Sequence, residues 1–115
     1  MAGNSWNDRN FRTAILERVI FKDQATITES ADIPLSREVT IIDASGGDVT
    51  ATLPDPADAA KLTFVVKRAE TDSTGNTATV ARNDAENING SASDLTLAAG
   101  EIVRLLSDGT DWNTI

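Results

Sequence analysis

Near the C-terminus, the stretch "SDGTDWNTI" (residues 107–115) sets Asp108 and Asp111 on either side of Gly109-Thr110. Two carboxyls about 5–10 Å apart across a cleft are the equipment of glycoside hydrolysis, one serving as acid and the other as base or nucleophile. Tight turns collect aspartates for a different reason: their carboxylates accept hydrogen bonds from nearby backbone N–H groups. No cleft-forming pattern surrounds the pair, and nothing points to a raised pKa, so the aspartates are read as turn residues. "NDAENING" (83–90) is rich in possible calcium donors. Aligning Gly90 with the invariant glycine of a calcium loop puts Ala85 in its first position and Thr96 in its twelfth, and neither can serve as the required carboxylate. The segment is read as a polar turn running into Asn89-Gly90, a hairpin signature. "DASGGD" (43–48) has two glycines but neither the lysine nor the spacing of a phosphate loop, and is expected to be a plain hairpin turn.

What the chain lacks narrows the chemistry further. It has no histidine and no cysteine. A Ser-His-Asp triad, a cysteine nucleophile, a disulfide and a thiolate metal site are therefore excluded. The reading is a protein that is not an enzyme and carries no cofactor or metal. Acidic residues outnumber basic ones 18 to 10, for a net charge of -8. Such a surface repels phosphate, so neither nucleic acid nor an anionic membrane is expected as a partner. No apolar run approaches the roughly 20 residues of a membrane span. The polar start "MAGNSWNDRN" is read as a true N-terminus without a signal peptide, which places synthesis in a cytoplasm.

The aromatic residues are few and unevenly placed. Residues 1–22 hold Trp6, Phe11 and Phe21 together with Arg9, Arg12, Arg18 and Lys22. Tryptophan and arginine are enriched at binding hot spots. Trp6, Arg9, Phe11, Arg12 and Ile15 are accordingly the candidate partner-binding residues. Phe11, Ile15 and Val19 recur at i, i+4 and i+8, which is helical spacing. "RVIF" has strand composition, so a short helix and an extended arm both remain open for residues 1–24. Tryptophans also stack on sugars, but Trp112 lies on a strand, on the face opposite Asn113. Trp112, Phe64 and Ile115 are read as core or subunit-packing residues.

Residues 25–115 must supply the frame for these groups, and there the pattern changes to period two. "QATITES", "REVTIID", "DVTATLP", "KLTFVVKR", "NTATVAR", "SDLTLAAG", "EIVRLLS" and "DWNTI" read as strands, most of them alternating and together rich in threonine and valine. "EIVRLLS" is apolar on both faces and should lie inside a sheet. "PDPADAAKL" interrupts the series, with Asp55 placed to cap one helical turn. The expected fold is all-β: a compact antiparallel β-sandwich or barrel-like domain of about eight short strands, preceded by an N-terminal arm or short helix.

From about Val39 to Ile115 the chain resembles a small β module of bacteriophage virion proteins, found in tail fibres, tailspikes, head fibres and decoration proteins. The resemblance is carried by Leu53-Pro54, Phe64, Lys67, Ile88, Gly90, Leu97, Gly100-Glu101 and Ser107-Asp108-Gly109-Thr110 with Trp112. The chain departs from that pattern in its alanine-rich strands and its lack of tyrosine. The resemblance implies a homotrimer with a structural role in a virion. For a chain of this size it implies a capsid decoration (cement) or head-fibre protein that binds the major capsid protein, or another virion protein, through its N-terminal arm. A tail-fibre or receptor-binding component that recognises a host glycan is the alternative.

Overall fold

The computed structural model describes residues 23–69 and 75–115. Among these residues the protein is all-β, with nine short strands and no helix. They are β1 (Gln24–Ile27), β2 (Ala31–Asp32), β3 (Val39–Ile42), β4 (Val49–Thr52), β5 (Thr63–Arg68), β6 (Ala78–Ala81), β7 (Leu95–Leu97), β8 (Ile102–Ser107) and β9 (Trp112–Thr114). The eight segments read as strands from the sequence all contain strands. The ninth strand, β2, has two exposed residues and too little length to show alternation.

The expectation of an antiparallel sandwich is corrected by the pairing. A five-stranded sheet has the order β1-β3-β5-β8-β9 and a four-stranded sheet the order β2-β4-β6-β7. The pairs β1/β3, β3/β5, β2/β4 and β4/β6 are parallel, while β5/β8, β6/β7 and β8/β9 are antiparallel. The chain therefore winds. It lays a strand in one sheet, crosses to the other, and returns one strand further along, so that each crossover between parallel neighbours is itself a strand of the opposite sheet. Parallel neighbours need a connection of a dozen or more residues, usually a helix; here the facing strand supplies it. Alternation of side chains has the same period in either direction, so it does not distinguish the two arrangements.

Hydrogen bonds between successive windings stack the corners. Thr50 N donates to Ser30 Oγ (2.9 Å), Thr77 N to Asp48 Oδ1 (2.7 Å), and Asn76 Nδ2 to the carbonyl of Ala44 (2.7 Å). "DASGGD" is one of these corners: it carries the chain from β3 in one sheet to β4 in the other, and so is not the hairpin turn expected for it.

One core lies between the sheets. The larger sheet contributes Ile42, Phe64, Val66, Leu105 and Trp112, and the smaller contributes Val49, Ala51, Ala78, Val80 and Leu97. Ala51 and Ala78 of the smaller sheet are fully buried beside the rings of the larger, as close packing of a core between sheets favours. The "PDPADAAKL" segment forms two successive hydrogen-bonded turns, the second closed by Leu62 N to the Ala59 carbonyl (2.8 Å). Asp55 Oδ1 accepts from Ala57 N (2.9 Å), and the Asp55 carbonyl accepts from Ala59 N (3.1 Å). The first turn drops Ala59, which is fully buried, into the core.

Candidate functional site

The residues with the strongest chemical potential converge at one end of the β8–β9 hairpin. Asp108 Oδ1 accepts from Asp111 N (2.8 Å) and Thr110 N (2.9 Å), and Asp108 Oδ2 accepts from Asn113 Nδ2 (3.1 Å). These bonds, led by that from Asp111 N, favour the carboxylate and hold the Asp108 pKa below its ordinary value of 3.8. An acid catalyst needs the opposite shift. The Asp111 carboxylate faces a different way and accepts from Asn87 N (2.9 Å), tying the 83–90 loop to the hairpin.

That loop folds around its own acceptors. Glu86 takes hydrogen bonds from Asn83 N (2.6 Å) and Asp84 N (2.8 Å). At its tip Ile88 and Ser91 exchange backbone hydrogen bonds of 2.9 and 3.0 Å around Asn89 (φ 53°) and Gly90 (φ 76°). Positive φ at both central residues is the tight hairpin turn that Asn-Gly predicts. The loop is then sewn to β9. Trp112 N donates to the Asn87 carbonyl and Asn89 N to the Trp112 carbonyl, each at 2.9 Å. Asn89 Oδ1 accepts from Thr114 N (2.9 Å), and its Nδ2 donates to Thr114 Oγ1 (2.9 Å). The polar groups of this region thus serve to lock a loop onto the last strand. Among the described residues no three His, Cys, Asp or Glu side chains gather as metal donors.

Trp112 is fully buried and meets Phe64 edge to face, with ring centroids 5.5 Å apart and planes at 77°. Its ring face offers no platform for a sugar. Its indole Nε1 has no hydrogen-bond partner among the described residues. Ile115, also read as a packing residue, is 65% exposed and is held by its backbone N–H to the Arg104 carbonyl (2.9 Å). Trp6, Arg9, Phe11, Arg12 and Ile15 lie outside the described residues.

Three polar groups carry structural weight: Arg68 and Asp94, which the sequence pattern does not single out, and Ser107, which enters there only through the resemblance. Arg68 is buried, and its guanidinium donates to the carbonyls of Leu97 (2.9 Å) and Asn76 (2.7 Å). It shares the parity of Phe64 and Val66, so alternation alone assigns it to the core face. The buried Ser107 hydroxyl donates to the Pro56 carbonyl (2.6 Å) and accepts from Gly109 N (3.1 Å). Asp94 Oδ1 accepts from Arg82 N (2.9 Å) and Nε (3.0 Å), the first of these being the chief cause of a lowered Asp94 pKa.

No helix among the described residues is long and apolar enough to cross a membrane. Compared with known proteins, the chain matches no protein-family model and no curated sequence.

Proposed function

We propose that this chain is a structural protein of a bacteriophage virion: a homotrimeric capsid decoration (cement) or head-fibre protein, seated on the major capsid protein by its N-terminal arm, residues 1–24. The observation that carries the proposal is the position of the residues that give the resemblance. Leu53, Phe64, Ile88, Leu97, Ser107 and Trp112 are all buried. Gly90, Gly100 and Gly109 have φ of 76°, 78° and 92°, and Asp108 caps the turn that delivers the last strand. Most of the residues that carry the resemblance thus hold this fold together, and that supports the reading. The polar cluster is consumed by internal hydrogen bonds, and this favours a structural role over a catalytic one.

The mechanism is mass action. A protein that binds only the assembled shell stabilises it by RT ln(1 + [L]/Kd) per site. A trimer engaging adjacent capsid subunits gains avidity. The acidic β domain faces solvent, and the arm with Trp6, Arg9 and Arg12 makes the attachment. The test is cosedimentation of the purified protein with capsids that lack it. The full chain is expected to bind, and a chain without residues 1–12 is expected to remain folded and stay in the supernatant. Equal binding of both would overturn the arm assignment. Specific retention on a glycan array without capsid binding would favour the receptor-binding alternative.

A further inference from the structure

The outer faces of the two sheets differ in chemistry. On the four-stranded sheet, Thr50, Thr79 and Thr96 stand in one cross-strand row, and Asp32, Thr52 and Ala81 in another. These side chains suit a solvated face. On the five-stranded sheet one outer row runs Gln24, Val39, Val65, Arg104 and the next Thr26, Ile41, Lys67, Ile102, with Leu106 beside them between Thr63 and Asn113. Val39 is buried yet packs outside the main core cluster, Ile41, Val65 and Leu106 are half-buried, and Ile102 is 58% exposed. Val39, Ile41, Val65 and Leu106 thus form a second apolar strip on the outside of one sheet, with Lys67 and Arg104 set between it and Ile102. Contiguous apolar patches of this kind mark places where something docks.

We propose that the occupant is the chain's own N-terminal segment, with Phe11, Ile15 and Val19 lying on this face. Connectivity is the first reason. The segment enters the fold through β1, the edge strand of this same sheet, at Gln24. Asp23 already belongs to the sheet edge, its carbonyl accepting from Glu38 N (3.0 Å) and Val39 N (3.1 Å), and the three residues before it, 20–22, span up to about 10 Å when extended, enough to turn back over a sheet whose strands lie about 4.8 Å apart. Dimension is the second. As a helix, Phe11 to Val19 covers about 12 Å, and the three steps from β1 to β8 cover about 14 Å. Pattern is the third, because the three residues share one helical face. At 100° per residue Trp6 falls opposite this face and Arg9 about 120° from its centre, so both stay available to a partner. The inference does not rest on the virion reading. It moves Phe11 and Ile15 from partner contact to the chain's own sheet.

The absence of cysteine allows a clean test. The pairs Ile15→Cys with Ile41→Cys and Ile15→Cys with Val65→Cys are oxidised mildly, and Ile15→Cys with Thr79→Cys is the control on the other sheet. At least one outer-face pair is expected to close an intrachain disulfide ten-fold or more faster than the control. Equal rates, or disulfides that join two chains, would overturn the proposal, the latter by assigning the face to a second copy. Hydrogen exchange on the cysteine-free chain gives an independent readout. Ile102→Asp and Val65→Asp are expected to speed exchange of amides 11–19 ten-fold or more while amides of β3 to β9 stay protected. Unchanged exchange over 11–19 would overturn it equally. Cosedimentation with capsids reports on the virion reading separately, since a docked segment that binds no capsid sinks only that reading.

Discussion

Replacing Trp112 with alanine probes the core where the chain ends. A buried tryptophan removes about 200 Å² from water, which at about 25 cal/mol per Å² is worth about 5 kcal/mol. The edge-to-face contact with Phe64 adds about 1 kcal/mol. Against this stands the buried indole N–H with no partner among the described residues, a desolvation cost of about 1–3 kcal/mol that alanine relieves. The net loss is about 4 kcal/mol, inside the range of about 3–5 found when buried aromatics are cut to alanine. Total stability of a domain is about 5–15 kcal/mol, so a quarter or more of it hangs on one residue three positions from the end. The midpoint of thermal unfolding should fall by about 15 °C. Trp112→Phe keeps a ring and deletes the orphan N–H, and its loss should be only about 1–2 kcal/mol. Urea titration followed by far-ultraviolet circular dichroism measures both variants. In a Trp6→Phe background the emission of Trp112, then the sole tryptophan, should be that of a buried indole. A Trp112→Ala chain within about 1 kcal/mol of its parent, or emission typical of water-exposed tryptophan, would refute the placement of this residue.

Three further outcomes follow from the polar framework. Asp108 and Asp94 have folded pKa values below 3.8, so each contributes stability that is present above that value and lost as pH falls through its folded pKa. Melting temperature should drop as pH is lowered below about 4, and Asp108→Ala combined with Asp94→Ala should flatten that drop in a pH series. Ser107→Ala should cost about 1–2 kcal/mol in urea, because the Pro56 carbonyl and Gly109 N–H both lose the buried hydroxyl. Gly90→Ala meets open space but must hold φ near 76°, so backbone strain alone should lower stability by about 1 kcal/mol with no change in strand register by nuclear magnetic resonance.

The strands were legible because alternation is a local property. "TFVVKR" declares which of its residues face inward, Arg68 included, whatever strand lies beside it. The Asn89-Gly90 turn was legible because two successive positive-φ positions leave few residue choices. The direction of pairing was not. "DASGGD" has the composition of a hairpin turn and serves as a corner between sheets, because glycine, serine and aspartate suit any abrupt change of direction. What decides is which partner the next strand meets, and Val49 pairs with Ala78 rather than with any residue of β3. Asp108 and Asp111 accept hydrogen bonds from within a few residues or from the adjoining loop, the local pattern that aspartates adopt in turns. Arg68 escaped notice because a cation in a strand is ordinarily taken for a solvated residue.

The winding has a consequence for what the chain tolerates in length. Gln24 pairs with Val39, fifteen residues on, and Val39 pairs with Val65, twenty-six residues on, yet each step advances the sheet by one strand. The spacing between neighbours is therefore uncoupled from the number of residues in a turn of the coil, and surplus chain is discharged at a corner. The Ser45-Gly46 corner, exposed and free of the core, is where foreign sequence should be accepted with the rungs on either side undisturbed. Such a fold is a ready carrier for grafted peptides, and corner length is the coordinate along which it can vary without refolding.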